Sequence, residues 1–174
     1  IQNENVDRIS RFNEIDPELP SKQPCAYFVI ISDQDSSMEF MSSMFFSLLF
    51  ARLTNYARRH GEDGQLPVPV NVCLDEFLNC GKLLDFKRTL GVARSRRIYC
   101  QLAVQSLSGL ADRYPKKEWE ELVALCDIWQ FLGCNDLMTA DYLSEKCGIM
   151  SIQVQNTQRP VTPIFSPARV RPYS

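Results

Sequence analysis

Asp75 and Glu76 close the apolar run Val70-Asn71-Val72-Cys73-Leu74, and two adjacent carboxylates at the end of a buried strand have the form of a Walker B element. In that form the first acid holds Mg²⁺ against nucleotide phosphates, and the second polarises the attacking water. Gln105 ends the next strand-like run. There it can sense a γ-phosphate or hydrogen-bond a turn, and its position alone leaves both roles open. Arg94, Arg96 and Arg97 form an R-S-R-R cluster before that run. The cluster reads as a solvated helix end, where cations complement the dipole, or as the source of an arginine reaching a neighbouring subunit's phosphates. The residues by themselves favour the helix end. Asp33 and Asp35 follow another apolar run, so a metal-dependent nuclease built on Asp33, Asp35, Asp75 and Glu76 is a further chemistry open to these acids. It lacks a lysine or histidine base beside them.

A phosphate-cradling loop requires G-x-x-x-x-G-K followed by Ser or Thr. The only Gly-Lys pair is Gly81-Lys82, with Glu76 at the place of the first glycine and Leu83 at that of the hydroxyl. The chain therefore has catalytic-type acids without a nucleotide cradle. Its formal net charge is −2 across 174 residues, which excludes a global basic field for nucleic acid and leaves only local patches such as Arg96 and Arg97. Seven cysteines, an odd number with no C-x-x-C pair, argue against a disulfide framework or zinc site and for a reducing compartment. His60, the single histidine, follows Arg58 and Arg59 at a helix end and is better placed to complement a dipole than to act as a base.

Elements that would position these groups alternate along the chain. Residues 1–24 are polar, carry Pro17, Pro20 and Pro24, and read as an irregular lead-in. Ala26–Ile31 is a continuous apolar run suited to a strand covered on both faces. Ser36 and Glu39 have capping-box spacing and open a helix to about Arg59, stopped at Gly61 and apolar nearly all round, hence largely buried. The acidic-pair strand follows, then a helix over 84–96, a strand over 98–104 and a helical stretch turning near Pro115. A fourth strand over 128–132 and a helix over 136–146 stopped at Gly148 complete the alternation. This pattern predicts an α/β fold, a parallel sheet with helices on both faces. Residues 151–174, with Pro160, Pro163, Pro167 and Pro172, read as an extended tail. The longest apolar stretch, Phe40–Leu53, is interrupted by serines and Arg52 and is too short to span a bilayer. A start at Ile1 suggests a piece of a longer protein.

The segment Leu74-Asp75-Glu76-Phe77-Leu78-Asn79-Cys80-Gly81-Lys82 resembles the L-D-E-F-x-N-x-G signature of type IV coupling proteins, the TraG-type ATPases of conjugation and type IV secretion. The similarity continues through Ala93-Arg94-Ser95-Arg96 and Val104-Gln105-Ser106-Leu107. It resumes at Trp119-Glu120, Cys126-Asp127, Phe131-Leu132-Gly133-Cys134-Asn135-Asp136 and Thr139-Ala140-Asp141-Tyr142-Leu143-Ser144. Upstream, the run ending Ser32-Asp33-Gln34-Asp35 is similar to the family's strand ending P-D-x-D, with Ser32 in place of the proline. The resemblance covers roughly residues 25–150, in order and spacing.

It implies a RecA-like motor that couples ATP hydrolysis to delivery of a relaxase–DNA substrate to the secretion channel. Carried over by position, Asp75 is the Mg²⁺-linked acid, Glu76 the water-polarising acid, Arg94 the finger toward the adjacent subunit and Gln105 the phosphate sensor. Family members work as homo-hexamers anchored in the cytoplasmic membrane through an N-terminal segment, with the motor in the cytoplasm. On this reading residues 25–150 are the C-terminal half of the motor domain, a partial P-loop NTPase core lacking the Walker A half. ATP and Mg²⁺ belong to the complete protein, and the chain alone should not turn ATP over. The alternative is a P-loop-less binding module or relic that docks a relaxase or a motor subunit without catalysis.

Overall fold

The computed structural model describes residues 15–31 and 39–151, and the backbone of 155–158 and 169–172. The chain divides into two compact units, residues 1–139 and 140–174. In the first unit a short helix α1 (Leu19–Lys22) precedes the long helix α2 (Glu39–His60). Strand β1 (Val70–Leu74), helix α3 (Phe86–Ala93), strand β2 (Ile98–Leu102), and helices α4 (Leu107–Arg113) and α5 (Glu118–Ala124) follow. Helix α6 (Leu137–Cys147) spans the boundary between the units, and Gly148, with φ of +73°, ends it. In the second unit β3 (Gln155–Gln158) pairs antiparallel with β4 (Arg169–Pro172), inside the segment expected to be an extended tail.

β1 and β2 pair in parallel, with Val70 opposite Ile98 and Leu74 opposite Leu102. Mixed α/β character with a parallel sheet is therefore present, but the sheet has two strands among the described residues where four were expected. Val70, Val72 and Leu74 are buried while Asn71 and Cys73 are exposed, so β1 has one covered face. Among the described residues nothing covers the second face, so helices on both faces are not seen, and the period-two pattern of Val70-Asn71-Val72-Cys73-Leu74 is that of a half-buried strand. Neither of the other two expected strands forms. Tyr27 and Val29 are 37% and 42% exposed while Phe28 and Ile30 are 90% and 96% exposed, an alternation typical of extended chain with no ladder to join. Ile128 and Leu132 likewise stand 87% and 90% exposed. An apolar run supplies side chains for a strand but does not supply the partner whose backbone groups complete it.

Helix α2 ends where expected. The Gly61 amide donates to the Ala57 carbonyl at 2.9 Å, and a Cβ on Gly61 would overlap the backbone of Ala57 and Gln65. Its burial is narrower than expected: Phe46, Leu49, Phe50, Leu53 and Ala57 face the core, whereas Phe40, Met44 and Leu48 are exposed. Ser36, the expected cap, lies outside the described residues. Four aromatic rings join this stripe to the rest of the unit. Phe50 meets Phe86 at 5.6 Å between centroids, Phe86 meets Phe77 at 5.1 Å, and Phe77 stacks on Tyr114 at 5.6 Å with planes 7° apart. All four are at most 2% exposed, and the Tyr114 hydroxyl accepts the Leu83 amide at 3.1 Å. Phe77 immediately follows the acidic pair, so the core's central ring also anchors the turn that carries it.

Candidate functional site

β1 ends at Leu74, and Asp75 and Glu76 form a turn beyond it. Two backbone hydrogen bonds hold that turn to the strand beside it. The Ala103 amide donates to the Leu74 carbonyl at 3.0 Å, and the Phe77 amide donates to the Ala103 carbonyl at 3.0 Å. Ala103 is the residue after β2, and Gln105 lies two residues further on. The acidic pair and Gln105 therefore share the carboxyl edge of the sheet, where doubly wound folds collect their functional groups. Asp75, Glu76 and Gln105 are all exposed there.

Glu76 adopts φ 43° and ψ 64°, the left-handed region that costs a Cβ-bearing residue on the order of 1–2 kcal/mol. The following 3₁₀ turn, Phe77–Cys80, explains how this is sustained. Phe77 and Cys80 are buried, the Asn79 amide donates to the Glu76 carbonyl at 2.9 Å, and Arg113 Nη2 donates to the Leu78 carbonyl at 3.0 Å. Arg113 in turn pairs with Glu39 at 2.5 Å, tying the turn to α2. At the end of the turn Gly81 has φ of +75° and lies against Glu39 so closely that a Cβ would sit 3.0 Å from its carbonyl oxygen.

Arg94 stands apart from these groups. It opens the 3₁₀ turn Arg94–Arg96 before β2, so the whole strand, about 15 Å long by strand rise, lies between it and Gln105. Its Nη1 donates to both carboxylate oxygens of Asp127 at 2.9 Å, and the two side chains are 75% and 67% exposed. Its neighbours are engaged differently. Arg96 Nη1 donates to the Gly64 carbonyl at 2.9 Å, and Arg97 Nη1 donates to the carbonyls of Leu66 at 3.0 Å and Pro67 at 3.3 Å. These two arginines fasten the loop between α2 and β1 to the sheet, a structural task the charge cluster did not advertise.

The acids suit a magnesium–nucleotide site only in part. Mg²⁺ is held by one or two carboxylates together with water and phosphate oxygens. Asp75 is exposed and engaged by no hydrogen bond or ion pair among the described residues, so its oxygens are open to a metal but no neighbour orients them. No group of three or more His, Cys, Asp or Glu side chains assembles among the described residues. Lys82 is no phosphate cradle: it pairs with Glu118 at 2.6 Å and lies over the Tyr114 ring. Asp33 and Asp35 lie outside the described residues, and with them half of the nuclease constellation.

Three contributors escaped the sequence reading. Asn79 Nδ2 donates to Glu76 Oε2 at 2.5 Å, and Asp127 receives Arg94. Thr139, 7% exposed, accepts the Leu107 amide at 2.8 Å, donates to Asp136 at 2.5 Å, and so fixes the start of α4 just after Gln105. That hydroxyl, with the Thr139 amide, holds the Asp136 carboxyl below its ordinary range. Asn79, Asp127 and Thr139 all fall in the motif segments quoted above, which was the signal available.

With this geometry in place, comparison decides the family. The family described as the TraM recognition site of TraD and TraG matches residues 69–167, more than half of the chain. The chain belongs to that family. It is a C-terminal region of a TraG/TraD-type coupling protein. The match starts one residue before β1 and takes in Asp75, Glu76, Arg94 and Gln105. No curated protein and no solved structure matches the chain. Among the described residues no helix is long and apolar enough to cross a membrane.

Proposed function

We propose that this chain is the Walker B-bearing part of a conjugative coupling protein, acting both in substrate recognition and in ATP-driven DNA transfer. The family match over residues 69–167 carries the reading. Its description names TraM recognition, so the partner proposed for the chain is a TraM-type component of the relaxosome, and through it the relaxase–DNA complex. The ATPase half of the proposal rests on the sheet edge. Asp75 presents a free carboxylate to a magnesium ion, Glu76 holds a carboxylate where an attacking water can donate to it, and Gln105 contributes an amide on the same edge. When bound, Mg²⁺ neutralises charge on the β- and γ-phosphate oxygens. Arg94, outward-facing and a strand's length from the acids, suits a role toward a neighbouring subunit's phosphates rather than its own.

On this proposal the chain is, in the complete protein, part of a RecA-like motor that binds ATP and Mg²⁺ and forms a homo-hexamer. The motor sits on the cytoplasmic side of a membrane anchor and works with components of the type IV secretion channel. The second reading, a binding module without catalysis, draws on the absence of a phosphate-cradling loop from these residues. Conjugation by a donor strain whose coupling protein carries Glu76→Gln separates the two. Loss of DNA transfer with binding of the TraM-type component retained supports the motor. Undiminished transfer refutes it and leaves the binding module.

A further inference from the structure

Glu76 can polarise water only if its carboxylate holds one orientation, and an exposed glutamate has three side-chain torsions free to turn. Here the orientation is set by one contact: Asn79 Nδ2 donates to Glu76 Oε2 at 2.5 Å. A carboxylate is an acceptor only, so the Asn79 amide must face it with its NH₂ group. Asn79 does not swing freely. It is half-buried in the 3₁₀ turn whose flanking residues, Phe77 and Cys80, are 1% and 3% exposed, and its own amide N–H is bound to the Glu76 carbonyl. The same three-residue spacing therefore closes two bonds between Asn79 and Glu76, one through the backbone and one through the side chains. Together with the left-handed φ of 43° at Glu76, these bonds turn the acid away from the course of β1 and fix one of its oxygens.

We propose that Asn79 is a positioning residue for Glu76: its amide occupies Oε2 and leaves Oε1 to accept a proton from the attacking water. This rests on the motor reading above. A neutral amide suits the task, because it restrains the carboxylate without supplying a charge that would compete with Asp75 for the metal.

The test is a cycle of single and double variants in the complete protein, read by steady-state ATP hydrolysis and by binding of a fluorescent ATP analogue. Asn79→Ala and the uncharged, similarly sized Asn79→Leu are expected to lower kcat by about 10- to 100-fold while leaving nucleotide affinity unchanged, as loss of orientation at a reacting group does. In a Glu76→Gln background, Asn79→Ala should add no further loss, since the residue acts through Glu76. If Glu76→Gln abolishes turnover but the Asn79 variants are fully active, or their losses multiply in the double variant, or nucleotide affinity falls, the positioning role is overturned and the motor reading stands. If Glu76→Gln itself leaves turnover intact, both fall. Asn79→Leu keeps the experiment decisive should Asn79→Ala fail to fold.

Discussion

The left-handed backbone at Glu76 makes a prediction whose sign, not only its size, is diagnostic. At an ordinary position Gly is less stable than Ala by roughly 0.5–1 kcal/mol, because it loses more backbone freedom on folding. At φ 43° and ψ 64° the Cβ of Ala clashes with the following carbonyl, at a cost of about 1–2 kcal/mol. Subtracting the mid-range values, Glu76→Gly should exceed Glu76→Ala by roughly 0.75 kcal/mol, the reverse of the usual order. Both variants lose the carboxylate and its bond from Asn79, so those terms cancel. For a chain of this size the difference corresponds to about 1–4 °C in Tm, with Gly the higher. Thermal unfolding followed by circular dichroism on the matched pair gives the number. Lys116 supplies a calibration, because it is exposed, has φ of 58° and has no proposed role, so Lys116→Gly and Lys116→Ala should show the same reversal. If Glu76→Ala equals or exceeds Glu76→Gly while the Lys116 pair reverses, the strain at the acidic turn is refuted.

Other consequences follow from the core and the arginines. Tyr114→Phe removes the acceptor for the buried Leu83 amide and should cost about 1–3 kcal/mol, read as a lower urea midpoint with an unchanged slope. Burial pushes the Tyr114 phenol up from its ordinary 10 to about 12. The raised value favours the neutral form in the fold. Its contribution to stability is therefore complete below pH 10 and lost as pH rises toward 12, and Tyr114→Phe should flatten that alkaline decline. Thr139→Val leaves the Leu107 amide without its acceptor, again costing about 1–3 kcal/mol, and an NMR titration should find the Asp136 carboxyl returned toward its ordinary range. In the complete protein Arg94→Ala should abolish turnover that wild-type subunits partly restore in mixed rings; failure of restoration argues against action between subunits. Asp127→Asn should leave folding stability nearly unchanged, since an ion pair this exposed is worth about 0–1 kcal/mol.

The sequence made the acidic turn legible because its signals are local. The run Val70–Leu74 ends at two carboxylates, and Gly61 stops α2 by a close approach that no side chain could share. What stayed hidden depends on residues distant in the chain. Ala26–Ile31 and Ile128–Leu132 have strand-like composition, yet pairing is a property of two segments, and neither joins a β-ladder among the described residues. The stretch of α2 that looked apolar all round buries one stripe, because the aromatic cluster of Phe50, Phe77, Phe86 and Tyr114 meets it from one side only. The R-S-R-R cluster announced charge but not destination. Arg96 and Arg97 turn inward onto backbone carbonyls of the loop before β1, while Arg94 turns outward to Asp127. The i,i+3 spacing of Glu76 and Asn79 was visible in the motif. The left-handed dihedral that lets their side chains meet was not, because it is imposed by the bonds to Ala103 and the burial of Phe77.

Glu76 is proposed as the water-polarising acid of a nucleotide motor. Single-turnover hydrolysis of radiolabelled ATP by the complete protein, wild type against Glu76→Gln, tests it most directly. In that role, its replacement should leave nucleotide and Mg²⁺ binding intact while cleavage slows by roughly 100-fold or more. Cleavage at the wild-type rate by the Glu76→Gln protein would contradict it.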